Sequence, residues 1–248
     1  MVNRLYVVAR SALVLRDEAI SHIARRLLRA KVHRPRNDII LFLLSSFLLF
    51  SCTTKTPQAS LQTVSVYSTF AAEPWLDPLY ACAESVAVIS RVDDVSSADI
   101  VLRVGEPEFL ASPAYQIDEE EIWVVAHHET PIPSMGLEGV QALFLGLGDP
   151  SIQIWVYASD TDVQAIFDQY VMEGRSVTSL ARLATSPQEM ADVLDSERQA
   201  LGILPVNWSM KMSGSSGIYH VATVPVLAIT KSEPQGAVNQ LIGCLQEK

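Results

Sequence analysis

Ile152-Gln153-Ile154-Trp155-Val156-Tyr157-Ala158-Ser159-Asp160-Thr161-Asp162-Val163-Gln164-Ala165-Ile166-Phe167 carries the clearest fold signal in this 248-residue chain. Ile152 to Tyr157 reads as a strand, and Ala158 to Asp162 as a polar turn that opens a helix. Ala165, Ile166, Phe167, Tyr170 and Val171 form the buried side of that helix. A strand fed through a short polar turn into a helix is the unit from which α/β folds are built.

The flanks repeat the unit. Upstream, Gly136 to Gly146 has one broad apolar face and a glycine suited to a helix end. Downstream, Thr185-Ser186-Pro187-Gln188-Glu189-Met190 opens a helix to about Ser196, and Gln199 to Leu204 is a strand stopped by Pro205. Towards the N-terminus, Thr63 to Tyr67 alternates as a strand does, with Ser68-Thr69 as N-cap residues for a helix from about Pro74 to Ser85. Val86 to Ser90, Ala98 to Val104 and Glu121 to Ala126 are further strands, the last apolar enough to be buried on both faces. Met212 to Gly217 reads as a loop, Val221 to Thr230 as one strand or a pair, and Glu233 onward as a last helix. The expected class is α/β with mixed, mostly parallel sheets.

Ile39 to Phe50 is apolar apart from two serines and follows a basic stretch, Lys31 to Arg36. Twelve residues make about 18 Å of helix, short of a hydrocarbon core of about 30 Å. The shape is that of a secretory signal peptide. Leu49-Phe50-Ser51-Cys52 resembles the lipobox of bacterial lipoproteins, whose cysteine receives lipid. A short anchor, or a signal cut elsewhere, is the alternative. Residues 1–51 are then a leader, with Val32 as an alternative start, and 52–62 a polar tether.

Nine of the 18 Lys and Arg and three of the 28 Asp and Glu precede Cys52. The remainder holds nine basic and 25 acidic residues, a formal −16. So acidic a surface repels phosphate backbones, which argues against nucleic acid as a partner. Ligand spacing for a metal is missing, as are nucleophile elbows and phosphate-cradling loops. His127-His128 reads as surface loop, since neighbours on an extended chain point opposite ways. No enzyme activity, cofactor or metal is expected.

From Met135 to Asn207, the order of helix ending in Gly146, strand, Ser159-Asp160-Thr161 turn, capped helix and Ala200-Leu201-Gly202-Ile203-Leu204-Pro205 strand resembles the phosphate-type periplasmic solute-binding proteins. The resemblance implies the two-lobed type II binding-protein fold, with residues 63–126 plus 206–248 as one lobe and 135–204 as the other. It implies hinges near Ala126–Ser134 and Leu204–Trp208, and a small-molecule or anion ligand in the cleft. It also implies an ABC-type permease as partner and a monomer held to a bacterial membrane by lipid on Cys52. A degenerate sensor or structural lipoprotein of the same fold is the alternative.

Helix N-termini bind anions through free N–H groups, which makes Ser68, Thr69 and Phe70, with Ser159, Asp160 and Thr161, the candidate ligand residues. Arg103 is a candidate counter-charge, and Gly105 and Glu106 sit in a loop that would close on ligand. Phosphate binders carry an Arg and a Gly around the second turn, where this chain has Ala158, Asp160 and Asp162. That substitution argues against phosphate. Asp160 and Asp162 either complement the helix dipole or meet a ligand with a cationic or hydroxyl group. The same fold puts the first and last helices in one lobe, which predicts a Cys82–Cys244 disulfide; two buried free thiols are the alternative.

Overall fold

The computed structural model describes residues 61–130, 132–209 and 215–247. The leader, Cys52 and the tether as far as residue 60 lie outside the described residues. Among the described residues no helix is long and apolar enough to cross a membrane.

The strands are β1 (Gln62–Ser68), β2 (Ala87–Arg91), β3 (Ile100–Val104), β4 (Ala114–His127), β5 (Gln153–Val156), β6 (Arg182–Leu183), β7 (Ala200–Pro205) and β8 (Ser215–Thr230). The helices are α1 (Leu76–Ala83), α2 (Leu137–Phe144), α3 (Asp162–Phe167), α4 (Pro187–Ser196), α5 (Val206–Ser209) and α6 (Gly236–Gln246). Strands run in the order β2-β1-β3-β8-β4-β7-β5-β6. Pairing is parallel towards both edges, where helices connect the strands, and antiparallel at β3–β8, β8–β4 and β4–β7 in the middle.

The middle pair departs from the expected layout. β4 is one strand of 14 residues rather than a short run from Glu121, and β8 is one strand of 16. β4 pairs with β8 throughout, and from Ile122 to Ala126 it also pairs with β7. Ser215 to Gly217, expected in a loop, belong to β8 because their backbones pair with His127, Ala126 and Val125. Gly217 keeps its place there for a packing reason. A Cβ on it would stand 3.0 Å from the Trp123 ring.

A single buried core spans the sheet from its first half (β2, β1 and β3 with α1 and α6) to its second (β7, β5 and β6 with α2, α3 and α4). In the first, Val64, Val66, Ile100 and Leu102 from the sheet meet Leu79 of α1 and Leu241 of α6. In the second, the Phe144 and Phe167 rings lie 4.4 Å apart, both fully buried, with Met190 and Leu194 of α4 in the same core. Truncating Phe167 to Ala there would cost about 4 kcal/mol, since little can collapse into the gap. Cys82 of α1 and Cys244 of α6 form a disulfide with Cα atoms 6.0 Å apart, as the fold predicted.

The first helical segment begins at Glu73, close to the expected Pro74, but not with the expected caps. Ser68 and Thr69 are not its caps. A 3-10 turn at Glu73–Trp75, with Pro74 presetting the backbone, leads into α1, and the residue before that turn is Ala72. His127, expected on a surface loop, is buried at the end of β4, where its Nδ1 accepts from the Glu129 N–H at 3.1 Å.

Candidate functional site

A cavity of about 170 Å³ opens between the two halves. The first half contributes Tyr67, Thr69, Phe70 and Ala71, where β1 ends. The second contributes Tyr157 and the start of α3, from Asp160 to Val163, together with Thr185, Ser186 and Pro187 before α4. Its position follows from strand-to-helix connections, which gather at one end of a parallel sheet and leave a crevice there.

Four of the nine expected ligand residues line this cavity: Thr69, Phe70, Asp160 and Thr161. Ser68 lies beside it with its hydroxyl donating to the Thr69 carbonyl at 3.0 Å. Ser159 and Glu106 are exposed and do not line the cavity. Gly105 has φ of +76°, a backbone state costly for residues with a Cβ. An added Cβ would sit 3.0 Å from Ile166 Cδ1, so Gly105 serves close packing between the halves.

Arg103 is engaged within the protein. Its guanidinium donates to Asp162 Oδ1 at 2.8 Å, and the Val104 N–H donates to Asp162 Oδ2 at 3.2 Å. Asp162, expected either to complement the α3 dipole or to meet a ligand, pairs across to the other half. Burial pushes its pKa above the ordinary 3.8, while Arg103, Thr69 and the Val104 N–H pull it back. Thr69 Oγ1 is buried, yet within the described residues it makes no hydrogen bond of standard geometry.

Three further hydroxyls of the lining, those of Thr161, Thr185 and Tyr157, donate within the protein. Thr161 Oγ1 donates to the Ala158 carbonyl at 2.9 Å and accepts from the Gln164 N–H at 3.4 Å, capping α3. Thr185 Oγ1 donates to Glu189 Oε2 at 2.6 Å, and Ser186 Oγ accepts from the Glu189 N–H at 3.2 Å. The latter pair is a reciprocal cap on α4. Tyr157 is buried, its hydroxyl donating to the Ile203 carbonyl at 2.9 Å, and burial raises its pKa. No basic side chain lines the cavity.

The sequence reading missed Tyr67, Tyr157 and the Thr185–Pro187 turn as lining residues. Thr185 to Pro187 was legible as a helix start, and a third helix start facing the same crevice was the available signal. It also missed Glu120, whose place in the acidic run Asp118 to Glu121 suggests a solvated face. Glu120 is 1% exposed and accepts from the Asn207 N–H and side-chain amide at 3.1 and 2.6 Å, beside the β7–α5 crossing. Burial raises its pKa, against the pull of those hydrogen bonds. Among the described residues, no three His, Cys, Asp or Glu side chains are placed to hold a metal ion.

No protein-family model matches the sequence, and neither does any curated protein. Solved structures do match. One, described as a phosphate ABC transporter substrate-binding protein with bound phosphate from Clostridium perfringens, has a TM-score of 0.63 at 13% identity, over 74% of this chain and 93% of its own. An ABC-type phosphate transport receptor from Vibrio cholerae gives 0.56 at 11% identity, over 75% and 93%. The bromide-bound regulatory domain of HypT from Salmonella typhimurium gives 0.56 at 8%, over 76% and 95%. Identities this low speak for fold alone, and the fold of this chain is the two-lobed α/β fold of periplasmic binding proteins.

Proposed function

We propose that this protein is an extracytoplasmic solute-binding lipoprotein that captures a small ligand between its lobes for an ABC-type importer. Residues 63–126 with 206–248 form one lobe in this reading and 135–204 the other. Lipid on Cys52 tethers the chain, which acts as a monomer and by binding rather than catalysis. The observation that supports it best is the 170 Å³ cavity, to which both halves contribute residues from strand-to-helix turns. A site of that kind gains contacts as the halves approach, which couples binding to closure. The size suits a metabolite smaller than the drug-sized ligands that fill about 300–1,000 Å³.

Phosphate is a poor fit. Asp160 and Asp162 line the cavity, and Arg103 is already paired with Asp162. That same pair favours a second reading, a sensor of this fold whose halves are held by an internal ion pair and which serves no transporter.

A thermal-shift screen of the detergent-purified protein against oxyanions, amino acids, sugars and organic amines tests the binding reading. A compound that stabilises the wild type but loses its effect with Phe70→Ala supports it. A screen without any stabilising compound counts for the second reading. Mass spectrometry of the membrane fraction tests the tether, with an N-terminus at lipid-modified Cys52 expected and a retained Ile39–Phe50 segment counting against it.

A further inference from the structure

We propose that the cleft selects a small organic ammonium ion, with Asp160 meeting its charge and Tyr67, Phe70 and Tyr157 its apolar body. The inference rests on the reading of the cleft as a ligand site and adds the chemical class of the ligand. Three independent features of the lining carry it.

The first is charge. The lining has two carboxylates and no basic residue. Arg103 answers one of them, Asp162, at 2.8 Å, and its charge is thereby spent. Asp160 is exposed on the rim and makes no ion pair among the described residues. The cavity therefore carries about one uncompensated negative charge, which an anion would have to oppose.

The second is the polarity of the hydroxyls. Thr161 and Thr185 have already given their hydrogens, to the Ala158 carbonyl and to Glu189. What these two offer to a ligand is lone pairs, while Ser186, whose Oγ accepts from the Glu189 N–H, is the lining hydroxyl that keeps its hydrogen. An oxyanion needs donors, whereas an ammonium or the hydroxyl of an amino alcohol needs acceptors.

The third is aromatic surface. Tyr67, Phe70 and Tyr157 supply three rings to a small cavity, and Phe70 is 56% exposed, a large apolar ring left at an opening. Ring faces attract cations, and ammonium groups with apolar substituents most usefully, because little hydration is given up. The formal −16 of the chain beyond residue 51 adds a field that draws cations towards it.

Calorimetry on the full-length protein tests this with three probes: choline, its neutral carbon isostere 3,3-dimethylbutan-1-ol, and inorganic phosphate. Choline is expected to bind at least about tenfold tighter than the isostere, and phosphate not to bind. Asp160→Asn should cut that preference to below about threefold, and Phe70→Ala should weaken choline binding with the fold intact by its melting curve. Equal affinity for choline and isostere overturns the ammonium assignment, as does a preference that survives Asp160→Asn. Phosphate or another oxyanion bound in place of choline overturns it while leaving the cleft a binding site. Failure of all three probes, together with a blank screen of the other solute classes, overturns both the assignment and the binding reading beneath it.

Discussion

Arg103 on β3 and Asp162 on the first turn of α3 are 59 residues apart in sequence and join the two halves through a 2.8 Å ion pair. The Asp162 side chain is 6% exposed and that of Arg103 22%, so neither charge is well hydrated. Removing one partner strands the other. Asp162→Ala is expected to lower stability by roughly 3 kcal/mol, and Arg103→Ala by a comparable amount. The double variant should cost clearly less than the sum, because it strands no charge. Urea denaturation of all four proteins measures the coupling, and additive losses would show that the pair contributes nothing across the halves.

Asp162 and Glu120 are both pushed above their ordinary values of 3.8 and 4.5, with burial the leading cause in each. A buried acid with a raised pKa binds its proton more readily folded than unfolded. Between the ordinary and the raised values the folded state therefore holds more protons, and stability rises as pH falls through that window. Glu189 and Asp94 act oppositely. Hydrogen bonds from Thr185 and from Ser96 lower them, so their contribution is lost below their ordinary values. The melting temperature should thus peak on the acid side of neutrality and drop below about pH 4. Glu120→Gln should flatten the acid-side rise. A melting temperature that climbs steadily from pH 5 to 8 would contradict the assignment.

Gly105 combines two demands, φ of +76° and a neighbour, Ile166 Cδ1, 3.0 Å from where a Cβ would lie. Gly105→Ala is expected to cost about 1–2 kcal/mol from the backbone alone, plus whatever the contact adds. Ile166→Val in the Gly105→Ala background should return the contact part and leave the backbone part. Chemical denaturation resolves the two; full recovery in the double variant would mean the backbone carries no strain.

The Cys82–Cys244 disulfide closes a loop with a sequence separation of 162 residues. The chain-entropy argument gives on the order of 5 kcal/mol of stabilisation for a loop of that length. Reduction, or Cys82→Ser with Cys244→Ser, should lower the denaturation midpoint strongly without altering the cleft. Non-reducing peptide mapping should recover the linked pair, and freely alkylated thiols in native protein would exclude it.

Local signals carried the order of elements well. Thr161 and Ser186 cap α3 and α4 because a side-chain oxygen three residues before an orphan N–H meets it whatever surrounds them. Val64, Val66, Leu79 and Leu241 were legible as core for the same reason of periodicity. Long-range partners were not legible. Nothing local says that Asp162 crosses to Arg103, or that Glu120 is sunk beside Asn207 while its neighbours in an acidic run are solvated. Ser215 to Gly217 looked like a loop because their composition is loop-like, but a ladder bonds through backbone and tolerates it. Ser68 and Thr69 had the right chemistry for caps, but a turn and a 3-10 segment, Phe70 to Trp75, come before α1 begins.

β4 and β8 are paired along the length of both strands, from the Ala114–Ile229 pair to the His127–Ser215 pair. The register shifts at Gln116/Asp118, Ile122/Trp123 and Val124/Val125 are the places where that ladder yields. Any motion of one half against the other would have to wind this double-stranded ribbon about its long axis, as a torsion bar is wound. A torsion bar returns its work. In the proposed binding role, a closure that wound this ribbon would store part of the ligand's free energy in the twist of the two strands and return it on release.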